Sequence, residues 1–150
     1  MNGQTKLIFP GLAGFYETMA PVVYALTRVT IGVIFLVHGY TKLSFGSVAV
    51  IRYFTSIKMP APELSAYCSM FIETVGGICL ILGLFTRFIA PVLAIQMLIA
   101  LFLVHWASGF MIYTNKYGYE YVLLLGVILF TIAIRGGGPY SMDAKIGKEL

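Results

Sequence analysis

Seven side chains that can carry charge, exchange a proton or form strong hydrogen bonds lie in or beside long apolar stretches of the sequence. They are Arg28, His38, Lys42, Glu73, Gln96, His105 and Glu120. A charged side chain at the centre of a bilayer costs about 2.5–3.5 kcal/mol on insertion scales, so such residues need a partner or a function. Histidine and carboxylate groups transfer protons, bind polar head groups or ligate metals, and the sequence offers these chemistries.

The stretches that hold these residues are too apolar for a water-soluble domain. Apolar residues make up 59% of the chain and charged residues 11%, against about 25% charged in an average soluble protein. A chain of 150 residues has too little interior to hide so much apolar surface from water. The net charge of +4 comes from Lys and Arg residues that stand singly at the ends of apolar stretches. That arrangement is typical of membrane insertion and excludes nucleic acid as the expected partner.

Four apolar stretches predict four membrane spans, over about residues 21–43, 63–85, 88–106 and 120–134. Pro21 fits the first turn of the first helix, and the pair Thr86-Arg87 leaves room only for a tight turn between the second and third spans. Helices are expected because the stretches lack the alternation of a membrane β-barrel. The predicted fold is an all-α membrane protein: one domain over residues 1–150, a single bundle of four transmembrane helices with a short polar tail.

The loops suggest an orientation. The link over residues 44–62 carries Phe45, Tyr53 and Phe54 and is expected to form an amphipathic segment at the interface. An even number of spans places both termini on one side, and that side has one more basic residue than the other. The two sets are Lys6, Arg87, Arg135, Lys145 and Lys148 against Lys42, Arg52, Lys58 and Lys116. By the positive-inside rule, the termini are predicted to be cytoplasmic.

Glycine and charge share one face on each of the first two spans. Residues three and four apart lie on one side of a helix. On the first span this spacing groups Arg28, Gly32, His38, Gly39 and Lys42. On the second it groups Glu73, Gly76, Gly77, Gly83 and Arg87. Because glycine allows helix backbones to approach closely, the two faces are expected to pack together, with the glycines and Arg87 in structural roles.

Depth in the bilayer separates the charged groups. Arg28 is expected about 10 Å in from the side of the termini, and Glu73 near the middle of the membrane. The two side chains would then be within reach of each other. Two interpretations stay open: a buried ion pair that sets helix register, or a functional pair. In the functional interpretation Glu73, Arg28 and His38 are the candidate catalytic residues.

A second polar group is expected at the opposite interface, where His38, Lys42, His105 and Glu120 come out at similar depth. Three interpretations are open, in order of preference: a structural network, a binding site for a quinone head group or lipid-like ligand, and haem or metal bound through the two histidines. No metal site is assigned, because two histidines without close ligand spacing do not make a metal motif.

Short motifs follow one another along almost the whole chain. They are Arg28 and Gly32, then His38-Gly39-Tyr40-Thr41-Lys42-Leu43, Glu73-Thr74-Val75-Gly76-Gly77, Leu82-Gly83-Leu84-Phe85-Thr86-Arg87, Gly118-Tyr119-Glu120 and Gly136-Gly137-Gly138-Pro139-Tyr140-Ser141-Met142-Asp143. In this combination the chain resembles the DoxX family of bacterial four-helix membrane proteins. The resemblance implies the bacterial inner membrane. It also carries the family pattern onto Arg28, His38, Lys42, Glu73, Arg87 and Glu120.

The resemblance further implies a class of function. Some members are subunits of a thiosulfate:quinone oxidoreductase, others are linked to membrane complexes that handle thiols and oxidative stress, and distant relatives resemble assembly factors without catalysis. We therefore expect a quinone-linked oxidoreductase component or an accessory subunit of a membrane redox complex. Quinone ranks ahead of haem as candidate cofactor. The alternative is a non-catalytic membrane scaffold or assembly subunit.

The expected partners follow from the same reasoning. The sequence carries no flavin, haem-attachment or iron–sulfur motif, so a redox centre would come from the quinone or from a membrane or peripheral redox protein. The bilayer and a second copy of the chain, as a homodimer, are the other expected partners. A small-molecule transporter ranks third among the functions, because the broken spans typical of transporter sites are missing.

Overall fold

The long apolar stretches form helices because a helix satisfies its own backbone hydrogen bonds inside lipid. The computed structural model describes residues 7–113 and 117–149, and the elements formed there are helices. A 3-10 turn precedes α1 (Ala13–Phe45), which is followed by α2 (Ser47–Ser56) and α3 (Pro62–Leu82). The chain then forms α4 (Thr86–Ala100), α5 (Glu120–Arg135) and α6 (Met142–Ile146).

Three segments are long and apolar enough to cross a membrane: Pro10–Phe45, Pro62–Leu82 and Thr86–Ser108. The third comprises α4, a π-helical turn at Leu101–His105 and a 3-10 turn at Trp106–Ser108. α5 has 16 residues, which gives it a length of about 24 Å, against roughly 30 Å of hydrocarbon in a bilayer. The all-helical membrane fold is therefore confirmed for the described residues, whereas a fourth span stays a prediction.

The first helix begins earlier than predicted. α1 starts at Ala13 and contains Pro21, so the assignment of Pro21 to the first turn is wrong. Pro10 takes that position instead, at the start of the 3-10 turn that leads into α1. α1 continues through Pro21 although proline has no N–H to donate, an interior position that membrane helices tolerate better than soluble ones. α1 reaches about 50 Å, well beyond the thickness of a bilayer.

The predicted amphipathic segment between the first two spans is α2. Val50 and Phe54 of α2 are buried against Ala66 and Met70 of α3. Tyr53, on the other side of α2, is half exposed. α2 thus packs along the first half of α3, beside the end of α1.

Glycine contacts hold α1 against α3, as the sequence predicts. A methyl group added at Gly77 would lie 2.6 Å from the backbone nitrogen of Leu36, and one added at Gly39 would lie 2.7 Å from the nitrogen of Thr74. Gly32 faces the Gly77 carbonyl in the same way. The two helices run antiparallel with almost no space between their backbones.

Two other members of the second predicted face, Gly76 and Arg87, lie elsewhere. Gly76 faces α4, where an added methyl group would meet Ile89 and Leu93 at 3.3 Å. α3 ends at Leu82 because Gly83 adopts a left-handed conformation, with φ +67°. Arg87 therefore belongs to α4 and not to the face of α3, which corrects its predicted position.

α4 and α5 form a second antiparallel pair that packs on the first. One core of buried apolar side chains joins α1, α3, α4 and α5. Leu80, Leu93 and Leu129 are fully buried at its centre. Two pairs of helices thus position the polar side chains.

Candidate functional site

The register between α1 and α3 separates Arg28 from Glu73. Arg28 lies opposite Leu80, because its Nε donates to the Leu80 carbonyl at 2.9 Å. Glu73 is seven residues before Leu80, about 10 Å away along α3. The predicted Arg28–Glu73 ion pair is therefore wrong. The depth estimate placed each helix separately, and only the antiparallel register decides which residues face each other.

Arg28 binds three backbone carbonyl groups instead of a carboxylate. Besides Leu80, its guanidinium donates to the carbonyls of Gly137 and of Tyr140, the latter at 2.8 Å. The side chain is only 1% exposed. The planar fork of donors in a guanidinium suits this arrangement. Arg28 ties the chain after α5 to the end of α3, and its contacts are structural.

Asp143 connects the same tail to the start of α4. Its two carboxylate oxygens accept from the backbone N–H groups of Phe85 at 2.8 Å and Thr86 at 3.0 Å. Its own N–H donates to the Gly83 carbonyl at 2.9 Å. These bonds satisfy groups at a helix N-terminus that have no partner within the helix. Ser141 caps α6, because its Oγ accepts from the N–H of Ala144 at 3.0 Å. We call Arg28, Gly83, Ser141 and Asp143 together the tail clasp.

A buried carboxylate forms the second polar site. Glu73 on α3 is 4% exposed, and its Oε1 accepts from Lys42 Nζ of α1 at 2.5 Å. Ser69, one turn earlier on α3, accepts from the same ammonium at 2.5 Å and donates to Glu73 Oε1 at 3.3 Å. The Lys42 side chain is one-quarter exposed, and its ammonium lies 5.9 Å from the centre of the Phe54 ring on α2.

Gln96 completes this group from α4. Its amide nitrogen donates to Glu73 Oε1 at 2.5 Å. Two buried acceptors, Glu73 Oε2 and Gln96 Oε1, have no hydrogen-bond partner in the described part of the chain. We call Lys42, Ser69, Glu73 and Gln96 the polar core site. A buried acceptor without a donor is costly, so these two oxygens are free to accept hydrogen bonds from a water molecule or another donor outside the chain.

The predicted mouth cluster is divided among three places. Lys42 belongs to the polar core site, whereas His38 is exposed on α1. His105 Nδ1 is bonded to the Tyr117 carbonyl at 2.7 Å, and Glu120 accepts from the backbone N–H of Ile112 at 2.9 Å. His105 and Glu120 thus stabilise the loop before α5 through hydrogen bonds to its backbone. The single cluster is therefore wrong, because α1 packs on α3 while His105 and Glu120 turn toward their own connecting loop.

Aromatic rings surround that loop. Trp106 stacks on Tyr119 with ring centres 5.3 Å apart, and Phe110 meets Tyr119 edge-on at 5.4 Å. Within residues 7–113 and 117–149, no group of three or more His, Cys, Asp or Glu side chains is placed to hold a metal ion. The two histidines lie in different surroundings, so the structure gives no support to haem bound between them.

Two members of the polar core site were not predicted as site residues. Ser69 precedes Glu73 by four residues, and this spacing on a helix could have revealed it. Gln96 stood out as a polar residue in the third span, but its partner on α3 follows only from how α4 packs. The site combines a carboxylate, an ammonium and an amide in a nearly dry environment. Such groups can hold a proton or orient a small polar head group.

Comparison with known proteins supports this picture of a membrane protein. A Bacillus subtilis (strain 168) protein named "Putative oxidoreductase CatD" is 32% identical over 123 residues, which cover 82% of this chain and 86% of the relative. The "Inner membrane protein YphA" of Escherichia coli (strain K12) is 28% identical over 129 residues, or 83% of this chain and 91% of the relative. A Haemophilus influenzae protein is 29% identical over 134 residues, or 89% and 97% of the two chains.

No solved structure matches the chain. The sequence profile of the DoxX family matches residues 23–106, more than half of the chain. This segment contains α2, α3, α4 and most of α1, and with them every member of the polar core site. The chain therefore belongs to the DoxX family.

Proposed function

We propose that the protein is a quinone-linked component of a membrane oxidoreductase, and that the polar core site binds the quinone head group. The observation that carries this proposal is the pair of buried, unpartnered acceptors Glu73 Oε2 and Gln96 Oε1. The name of the Bacillus subtilis relative, which contains the word oxidoreductase, supports the same class of function.

The donors and acceptors of the site fit both redox forms of such a head group. A quinol donates through its hydroxyl groups, and the two unpartnered oxygens can accept. A quinone only accepts, and Lys42 and Gln96 each keep one N–H beyond those already used. When bound, the quinone would supply two-electron, two-proton chemistry.

Within this proposal each residue has a distinct task. Glu73 accepts a proton or a hydroxyl hydrogen bond. Gln96 orients the head group from α4, and Lys42 links the buried carboxylate to the surface, because its side chain is the most exposed member of the ion pair. His38, which is exposed on α1 and outside this network, is no longer needed as a catalytic candidate.

Quinone binding to the purified protein in nanodiscs tests the proposal. We expect Glu73→Gln and Gln96→Leu to weaken binding of a short-chain ubiquinone analogue about tenfold or more, because each variant removes a desolvated hydrogen bond. Glu63→Gln is the matched control, since Glu63 lies on the same helix and is exposed. His38→Ala is expected to bind as the wild type does. Binding that is unchanged in both site variants would overturn the assignment.

A non-catalytic scaffold is the second candidate, and the tail clasp favours it. Arg28 and Asp143 use their charges on backbone groups, so several of the motif residues serve folding alone. Under this alternative the polar core site holds α1, α3 and α4 together. The binding experiment separates the two functions, because a folded wild-type protein that binds no quinone analogue would be a scaffold.

The proposal includes a topology. We place the single domain in the bacterial inner membrane with both termini in the cytoplasm and α5 as a fourth, short span. The name of the Escherichia coli relative supports this membrane. α5 is about 24 Å long, so as a fourth span it requires local thinning of the bilayer or tilting of the neighbouring helices. A redox partner protein and a homodimer are also part of the proposal.

A further inference from the structure

A groove opens between the start of α1 and the end of α5. Its surface is mainly apolar, with Phe15, Met19 and Val23 on one wall and Ile128 and Ile132 on the other, and its volume is about 640 Å³. Two tyrosines and two threonines also line it. The groove forms because α1 packs on α3 and α5 packs on α4, leaving the flank between the two pairs open.

The groove ends at a cation. Arg135, the last residue of α5, lies at its rim, and its guanidinium carbon is 4.4 Å from the centre of the Tyr24 ring. The Tyr24 hydroxyl donates to the Gly136 carbonyl, which holds the ring in place. A guanidinium over an aromatic face keeps its N–H groups directed outward, where they can bind an anion.

The charge of Arg135 is not neutralised by the described part of the chain. Only two salt bridges form there, Lys42 with Glu73 and Arg87 with Glu149. Glu149 lies near Gly136 but pairs with Arg87, which also donates to the Ile134 carbonyl. Of the three arginines at this end of the bundle, Arg28 is bonded to backbone carbonyls, Arg87 is paired with Glu149, and Arg135 faces the groove.

We propose that this groove is a binding site for an anionic phospholipid, with an acyl chain along the apolar walls and the phosphate on Arg135. An apolar channel that ends in an arginine at the interface complements a lipid with a negative head group. Arginine binds a phosphate group through two parallel hydrogen bonds. A zwitterionic head group carries the same phosphate, but its cation cancels the net charge, so its attraction to Arg135 is weaker. Exposed Phe15 and Tyr16 extend the wall to the level of the interface.

Native mass spectrometry of the detergent-purified chain with dioleoylphosphatidylglycerol or dioleoylphosphatidylcholine tests the proposal. We expect the wild type to retain the anionic lipid about fivefold better, which is the contribution of one arginine near a membrane surface. Arg135→Gln should abolish this preference and Arg135→Lys should restore part of it. Arg52→Gln, which removes an exposed arginine on α2, should leave the preference intact.

A second variant tests the contribution of the groove to lipid binding separately from that of the Arg135 charge. Ala20 lines the groove and is exposed, so Ala20→Phe should fill the channel without disturbing the core and should reduce retention of the lipid. Equal losses in Arg135→Gln and Arg52→Gln would overturn the proposal. The proposal would also be overturned if inorganic phosphate bound with the same dependence on Arg135 and its binding were unchanged in Ala20→Phe. A dimer broken by Ala20→Phe at unchanged lipid binding would assign the groove to a second copy and also overturn it.

Discussion

At the scale of single residues, the chain stabilises two of its buried charges, Arg28 and Glu73, in different ways. Arg28 donates one N–H from each of its three guanidinium nitrogens to a carbonyl oxygen, so its charge is spread over backbone dipoles. Glu73 directs one oxygen to three donors and leaves the other without one. Every nitrogen of Arg28 therefore has a partner, whereas Glu73 keeps one oxygen, unpartnered among the described residues, that a bound donor can use.

The contacts of Arg28 predict a strong effect of a conservative substitution. Arg28→Lys keeps the charge but replaces the planar fork by one ammonium, so at least one buried carbonyl loses its donor. We expect the free energy of unfolding to fall by about 2 kcal/mol, measured by SDS titration of the protein in mild detergent with circular dichroism.

Arg52→Lys is the matched control for that experiment. Arg52 is exposed on α2, and exposed substitutions change stability by no more than about 0.5 kcal/mol. Equal effects at the two positions would show that the three carbonyl bonds of Arg28 contribute nothing specific.

At the scale of helices, glycine determines which pairs of elements approach most closely. Gly32 and Gly77 lie opposite each other between α1 and α3, whereas Gly126 on α5 has space around it. A methyl group at Gly126 would only reach Met97 at 3.6 Å, an ordinary contact. Glycines in membrane helices thus differ in role, and the distance to the neighbouring backbone separates them.

This difference predicts opposite outcomes for two identical substitutions. Gly77→Ala must push α1 away from α3, because the new methyl group would lie 2.6 Å from the Leu36 nitrogen. We expect a loss of about 1–3 kcal/mol, as for overpacked interiors. Gly126→Ala should be neutral or slightly stabilising, because alanine favours the helix. Thermal unfolding in detergent measures both, and a Gly77→Ala protein as stable as Gly126→Ala would contradict the close contact.

At the scale of the whole molecule, the tail clasp joins the chain after α5 to α1 and to the turn between α3 and α4. The turn between α3 and α4 contains Phe85 with φ +51°, a strained value for a residue with a side chain. Asp143 bonds the N–H groups of Phe85 and Thr86 and so holds this turn. The polar tail is therefore part of the fold and not only an extension beyond the membrane.

Because of the tail clasp, we expect the tail to contribute to the global stability mainly through Asp143. Asp143→Ala removes two buried bonds at the start of α4 and should lower the free energy of unfolding by about 2 kcal/mol. Glu149→Ala breaks a half-exposed ion pair with Arg87 and should cost no more than about 1 kcal/mol. Proteolysis of the tail offers an independent measurement. An Asp143→Ala tail as resistant as the wild type would show that the clasp is not needed.

Local information in the sequence was enough for the helices and for the faces that glycine marks. Apolar length predicted the membrane helices, and the spacing of Gly32, Gly39 and Gly77 predicted the contact of α1 with α3, because both depend on residues close together in the chain. The start of α1 was missed because proline favours the first turn of a helix, whereas membrane helices also tolerate it in their interior.

The tertiary structure decides which polar groups contact each other. Arg28 and Glu73 were predicted as partners from their depth in the membrane. In the structure, the antiparallel register pairs Glu73 with Lys42, and Arg28 binds carbonyl groups of the chain after α5. Gln96 reaches the same carboxylate only because α4 packs on α3. Composition and periodicity by themselves determined an all-helical membrane protein with buried charges. The partners of those charges are decided by how separate helices pack, since a side chain's neighbours across a helix interface are distant in sequence and no local pattern encodes them.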